Sequence, residues 1–239
     1  MPIAMHRPQD SLSHFDSAEV QHYDSRIPAL VPGYQVLHHS SAALLKTLLP
    51  AGARVLVAGA GTGAELLALH ALGLHCECTA VEPMPAMLAL ARAKCDAAGL
   101  RHIRWHGGFV HELPPPASAQ SAHDAALCHL VMHFIEPLED KQRLLTAIAQ
   151  RLKPGAPLLL SDLLASNAPW PDERAALIEC AVSLGMPEAR RGLMRARLQN
   201  GFFPLHEKQL ARLAAASGFE APQLFFRTLS FGGWLLRRR

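Results

Sequence analysis

The chain has 239 residues, enough for one α/β domain with a substantial core. Half of it is apolar and 18% is charged, which excludes an intrinsically disordered chain. The net charge of +3, owed to the terminal Arg237-Arg238-Arg239 run, is too mild to point to nucleic acid or an anionic membrane.

Five cysteines without framework spacing fit free thiols in a reducing compartment. Cys76-Glu77-Cys78 has the wrong spacing for a zinc knuckle and reads as two thiols on one face of a strand. No charged region followed by an unbroken apolar run opens the chain, and no stretch approaches the roughly 20 apolar residues that span a bilayer. A cytoplasmic protein is expected. A small-molecule substrate is the expected partner, nucleic acid and membrane are not, and a homodimer is left open.

Residues 1–16 are polar and aperiodic. Segment 17–34 is amphipathic and ends in the turn Val31-Pro32-Gly33-Tyr34, and 38–49 reads as a helix stopped by Pro50-Ala51-Gly52. An alternating programme then begins. Val55-Leu56-Val57-Ala58 is an apolar strand breaking into glycines, 64–72 is a helix closed by Gly73, and 76–81 is a strand ending at Glu82. Segment 85–98 is a helix with Pro near its start and Gly99 just past its end. Strands follow at 103–105 and 125–130, a helix at 141–152 closed by Lys153-Pro154-Gly155, and a buried strand at 158–160 ending in Ser161-Asp162. Strands alternating with helices predict a parallel sheet covered on both faces.

After Asp162 the rhythm changes. Segment 165–204 is a cap-like helical insertion rich in Arg and Met, interrupted at Gly185 and Pro187. A helix is predicted at 206–217 before Gly218, and 223–236 gives two strand-like pieces broken at Thr228 and Gly232-Gly233. The whole chain, 1–239, reads as a single domain, with 1–50 as an N-terminal lid and helix.

Gly59-Ala60-Gly61-Thr62-Gly63 lies directly between a buried strand and a helix. Glycines there let the backbone turn tightly and approach a ligand, and the carboxyl end of the first strand is where open α/β sheets bind ligands. Glu82, about twenty residues on, stands at the end of the second strand, where an acid accepts hydrogen bonds from ribose hydroxyls. The G-x-G-x-G spacing is one residue tighter than that of dinucleotide sites, and no phosphate-binding Lys-Ser follows. An adenine nucleoside with a free ribose is the implied ligand.

These residues, with Met84-Pro85-Ala86-Met87, the strand at 125–130, Leu152-Lys153-Pro154-Gly155 and Gly218-Phe219, resemble the class I S-adenosylmethionine (SAM) methyltransferases along nearly the whole chain. The resemblance implies a Rossmann-like, doubly wound, seven-stranded sheet, mostly parallel with an antiparallel last strand and helices on both faces. It implies SAM as cofactor, with Gly59, Ala60, Gly61 and Gly63 against its methionine moiety, Glu82 on the ribose and Pro83-Met84 against the adenine. The acid often found two residues before the first glycine is Val57 here. The acid often found after the third strand is Gly108, so that Phe109 or a backbone group takes over the adenine contact.

Val31-Pro32-Gly33-Tyr34, Phe134-Ile135-Glu136-Pro137, Phe225-Phe226 and Phe231-Gly232 are also similar to the carboxy-SAM synthases of the wobble-uridine tRNA pathway. That likeness implies a role for Arg195 in gripping a carboxylate, for which a guanidinium suits; a solvated arginine-rich face is the competing reading of Arg190-Arg191-x-x-x-Arg195-x-Arg197. A methyltransferase acting on a small molecule is the leading expectation. A carboxy-SAM synthase-like enzyme acting on SAM and prephenate is the alternative, and a non-catalytic SAM-binding partner subunit is the third.

Methyl transfer needs a base only where the acceptor loses a proton. Among fourteen histidines, His129 at the end of the fourth strand and His133 four residues on are the candidates, His129 also touching the cofactor. The pair also has the spacing of two metal ligands on one helix face, but no acid stands at a matching distance and no metal is expected. Tyr34, a third catalytic candidate, is expected to close over the cofactor with Tyr23 as a second tyrosine there, and Asp162 to orient the acceptor. Trp170, Met186 and Met194 place apolar surface in the insertion.

Overall fold

The computed structural model describes residues 20–165 and 173–239; the expectations for 1–16 and for Trp170 lie outside the described residues. The seven strands are β1 (Arg54–Ala58), β2 (Glu77–Val81), β3 (Ile103–His106), β4 (Ala125–His129), β5 (Pro157–Leu163), β6 (Gln223–Thr228) and β7 (Phe231–Arg237). They form one sheet in the order β3-β2-β1-β4-β5-β7-β6. All neighbours are parallel except β7, which runs antiparallel to both β5 and β6. The Rossmann-like expectation is met, including the reversed final strand.

Eight α-helices are described: α1 (Tyr23–Leu30), α2 (Tyr34–Leu48), α3 (Ala64–Ala71), α4 (Pro85–Ala97), α5 (Leu138–Ala149), α6 (Glu173–Ser183), α7 (Arg191–Asn200) and α8 (Glu207–Ala216). Alternation along the strands divides the apolar residues between two faces. Val55, Val57, Leu127 and Leu159 pack with Leu45 of α2, Leu66 and Leu69 of α3 and Cys95 of α4. Leu56, Ala126, Leu158 and Leu160 pack with Leu145 and Ile148 of α5, Leu210 and Leu213 of α8, and Phe219. A third cluster gathers Ala29, Leu163, Leu177, Ile178, Met186, Leu198 and Phe231, joining α1, α6 and α7 beside β5 and β7.

Several boundaries differ from the sequence reading; α5 lies three residues early at both ends and β5 runs on through Leu163. Helix α2 begins at Tyr34, four residues early, because Gly33 turns the chain at φ +78°. The C-terminal hairpin turns at Leu229-Ser230, and Gly232-Gly233 lie inside β7 opposite Asp162 and Ser161. They are there for close approach: a Cβ at Gly233 would meet Phe225 at 3.0 Å and Phe226 at 3.1 Å, and one at Gly232 would strike the Trp234 ring.

Candidate active site

The carboxyl ends of β1, β2 and β4 open into one cavity of about 210 Å³. Its floor is the glycine loop. Gly59, Gly61 and Gly63 have φ of +75°, +50° and +86°, a region L side chains rarely adopt. A Cβ at Gly59 would collide with Val131, whereas one at Gly61 meets nothing within 4 Å and so marks the loop's open side. Buried Glu82 is fixed by two backbone donors: Gly61 N–H to Oε2 and Met84 N–H to Oε1, each 2.9 Å. Burial raises its carboxyl above the usual range, and those two donors pull against the rise.

The other expected cofactor residues, Ala60, Pro83, Met84, Gly108, Phe109, His129 and Tyr34, also line this cavity, whereas Gly63 does not: a Cβ there would meet Ala91 and Cys95 of α4 at 3.4 Å. The volume a side chain at 108 would occupy is filled by the carboxylate of Glu112, whose Oε2 accepts from Phe109 N–H at 2.7 Å. Sequence spacing put an acid out of reach there; the short 3-10 turn at Val110–Glu112 folds one back.

Helix α1 is tied to the loop by Asp24, which accepts from Thr62 Oγ1 at 2.5 Å and from Lys94 Nζ at 2.6 Å. This brings Tyr23 into the cavity beside Tyr34, with both phenols pushed up by burial and, to a smaller degree, by nearby negative charge. One turn along α2, His38 packs edge-on against Tyr34 at 4.4 Å and against His129 at 5.7 Å. Sequence reasoning missed His38, although Tyr34, His38, Ser41 and Leu45 recur at the spacing of one helix face. Burial lowers its imidazole to about 4 and holds His129 well below its ordinary value. Both rings are neutral at pH 7. His129 Nδ1 pairs with Ser161 Oγ at 3.0 Å; its Nε2 and both ring nitrogens of His38 are buried with no partner among the described residues.

His133 is elsewhere. It sits on a 3-10 turn after β4 and faces a second cavity of about 140 Å³, walled by α1, α6, α7 and β7 residues. The two cavities share Tyr23, Leu130 and Phe134. Asp162, expected to touch an acceptor, lines neither cavity; its Oδ1 is hydrogen-bonded to His133 Nδ1 and accepts from Leu163 N–H at 2.9 Å. His129 and His133 thus face different chambers, so the proposed spacing of a metal pair does not bring them together. Phe134 and Phe202 pack around His133 at 4.2 and 5.0 Å between ring centres.

Arg195 is exposed and lines neither cavity. Helix α7 runs the other way round: Arg190 and Arg197, with Arg26 from α1, line the second cavity, and Arg191 is bound to Glu179 and Glu188. Met186 and Met194 are in the same lining.

The family profile described as a methyltransferase domain matches residues 55–155, the stretch that carries the glycine loop, Glu82 and the two histidines. Together with the relatives and the shared fold that follow, this match supports a class I SAM-dependent methyltransferase. This methyltransferase is 27% identical over 224 residues to a carboxy-S-adenosyl-L-methionine synthase of Citrobacter koseri, covering 91% of the chain and 88% of that protein. It is 34% identical over 114 residues to a ubiquinone biosynthesis O-methyltransferase of Xanthomonas axonopodis pv. citri, covering 48% of the chain and 44% of that protein. A SAM-dependent methyltransferase structure from Aquifex aeolicus shares the fold, with a TM-score of 0.61 at 17% identity over 94% of this chain and all of that one. No helix among the described residues is long and apolar enough to cross a membrane.

The cavity fits the family's cofactor on its own geometry. It offers a loop whose backbone is open at Gly61, a preset carboxylate at Glu82 and orphaned polar nitrogens at His38 and His129.

Proposed function

We propose that this methyltransferase alkylates a proton-bearing group, such as a hydroxyl, on a small apolar acceptor that also carries an anionic substituent. The observation that carries the reading is the second cavity, which shares a wall with the first and holds His133 bonded to Asp162. In the first cavity, Gly59, Ala60 and Gly61 would hold the methionine moiety, Glu82 the ribose, and Met84 and Phe109 the adenine. SAM, when bound, supplies a methyl group already activated on a sulfonium, so the protein's task is alignment and exclusion of water.

His133 is assigned the base. With Nδ1–H donated to Asp162, Nε2 carries the lone pair, on the side chain that lines the second cavity. It takes the acceptor's proton, and the Asp162 carboxylate stabilises the resulting imidazolium. His129, also a candidate base by sequence, is too deeply buried to accept a proton near neutrality and is assigned to the cofactor side.

The acceptor's class follows from the lining. Phe134, Phe202, Phe231, Met186 and Met194 supply apolar surface, Arg190 supplies cation, and no carboxylate lines the chamber among the described residues. Guanidinium forks favour a carboxylate. The synthase alternative keeps the likeness over 91% of the chain, while Arg195 is exposed and lines neither chamber.

Matched hydroxyaryl carboxylates and their carboxamides, incubated with SAM and assayed for S-adenosylhomocysteine, test this. The carboxylates turn over faster, and His133→Gln slows them by about 10² to 10⁴-fold while leaving S-adenosylhomocysteine binding unchanged. Turnover of neither series, or wild-type turnover by His133→Gln, overturns the proposal.

A further inference from the structure

Glu65 was not singled out by sequence, where it reads as a polar residue in the first turn of α3. In the structure it is buried at 7% exposure and lines the first cavity. Three carboxylates stand in that lining. Asp140 is paired with Arg143, and Glu82 is satisfied by two backbone N–H groups. Glu65 has only its own backbone N–H as a donor among the described residues.

A buried carboxylate without a counter-charge is costly, so it either stays protonated or waits for a cation. The groups around it do not supply one. Tyr23 and Tyr34 flank it from α1 and α2, and Glu82 adds negative charge from the end of β2. Lys94 of α4 is the nearest cation, and it is spent on Asp24 and Thr62 at 2.6 and 3.3 Å. The cavity therefore presents an uncompensated acid two residues past the glycine loop. The cofactor assigned to this cavity carries a primary ammonium on its methionine moiety, the part assigned to that loop.

Resting on that cofactor assignment, we propose that Glu65 is the counter-ion of the cofactor's methionine ammonium, so that the site recognises the amino-acid end by charge as well as by backbone shape. Burial supports this: it raises the Glu65 carboxyl to about 8, so the empty site holds a proton there near neutrality, which an arriving ammonium displaces.

Two ligands separate the roles. S-adenosylhomocysteine has the ammonium, and 5′-methylthioadenosine lacks the whole amino-acid end while keeping adenine and ribose. Titration calorimetry of Glu65→Gln is expected to show S-adenosylhomocysteine weakened by about tenfold or more and methylthioadenosine unchanged, the latter also reporting an intact fold. In wild type at pH 7.5, paired measurements in buffers of different ionisation enthalpy are expected to show a proton released on binding S-adenosylhomocysteine, and none on binding methylthioadenosine or in Glu65→Gln. Equal weakening of both ligands, or no weakening of either, overturns the role of Glu65. Failure of wild type to bind either ligand overturns the cofactor assignment itself.

Discussion

The two cavities are built on different principles. The floor of the first is set by backbone: glycines at positive φ, N–H groups that fix Glu82, and strand ends whose register the sheet sets. The second is made of side chains from α1, α6, α7 and β7, brought together only by tertiary packing. A backbone-built pocket tolerates little change at a few positions. A side-chain-built pocket spreads its recognition over many, and is where one fold comes to accept different substrates.

The sharpest way to break this contrast is at Gly59. Gly59→Ala places a methyl against Val131 and holds an L residue at φ +75°. S-adenosylhomocysteine affinity is expected to fall by about 100-fold or more, since strain and collision together exceed about 3 kcal/mol. Calorimetric affinity within threefold of wild type would show that the loop's shape is not what holds the ligand.

Lys141 tests whether the second chamber depends on buried polar ties behind its wall. Its Nζ, 2% exposed at the residue level, donates to Met132 O at 2.7 Å and Phe203 O at 2.5 Å, while Phe203 N–H donates to His133 O at 2.8 Å. Burial lowers its ammonium to about 8. Lys141→Met strands the Phe203 carbonyl, leaves Met132 O with only Ile135 N–H, and is expected to cost about 2–3 kcal/mol, seen as a fall of about 5–10 °C in thermal midpoint. A midpoint within 1 °C would remove it from that role.

At the small end, Arg195→Ala sharpens the assignment on α7. It is expected to leave cofactor affinity and acceptor turnover within twofold of wild type, because its side chain reaches neither chamber. A tenfold loss in either assay would return it to the site.

Much of the first cavity was legible because local rules govern it. A strand followed by G-x-G-x-G and an acid about twenty residues later constrain each other, and the alternation of strands and helices gives the sheet. Glu65 and His38 were not legible there. Each looks like an ordinary polar residue on a helix, and only the packing of α1 and α2 over the loop makes its burial visible. The second chamber was less legible still. His133 and Asp162 are 29 residues apart and meet because β4 and β5 are paired neighbours. Which arginine of α7 faces inward depends on how that helix rotates against α6, and no periodicity in a stretch so rich in arginine fixes it. The glycines of β7 misled in the opposite direction: they read as a turn, whereas the aromatic rings of β6 and Trp234 lie over them.

Leu130 ends β4 at φ +58°, a conformation that costs a non-glycine residue about 1–2 kcal/mol, and it forms part of the wall common to both chambers. A partition with two wetted sides is also a coupling device. Any ligand that presses Leu130, Tyr23 or Phe134 from one side changes the shape offered on the other, and linkage makes that influence mutual. The affinities for donor and acceptor would then rise or fall together through one shared wall, in which Leu130 already holds a left-handed backbone.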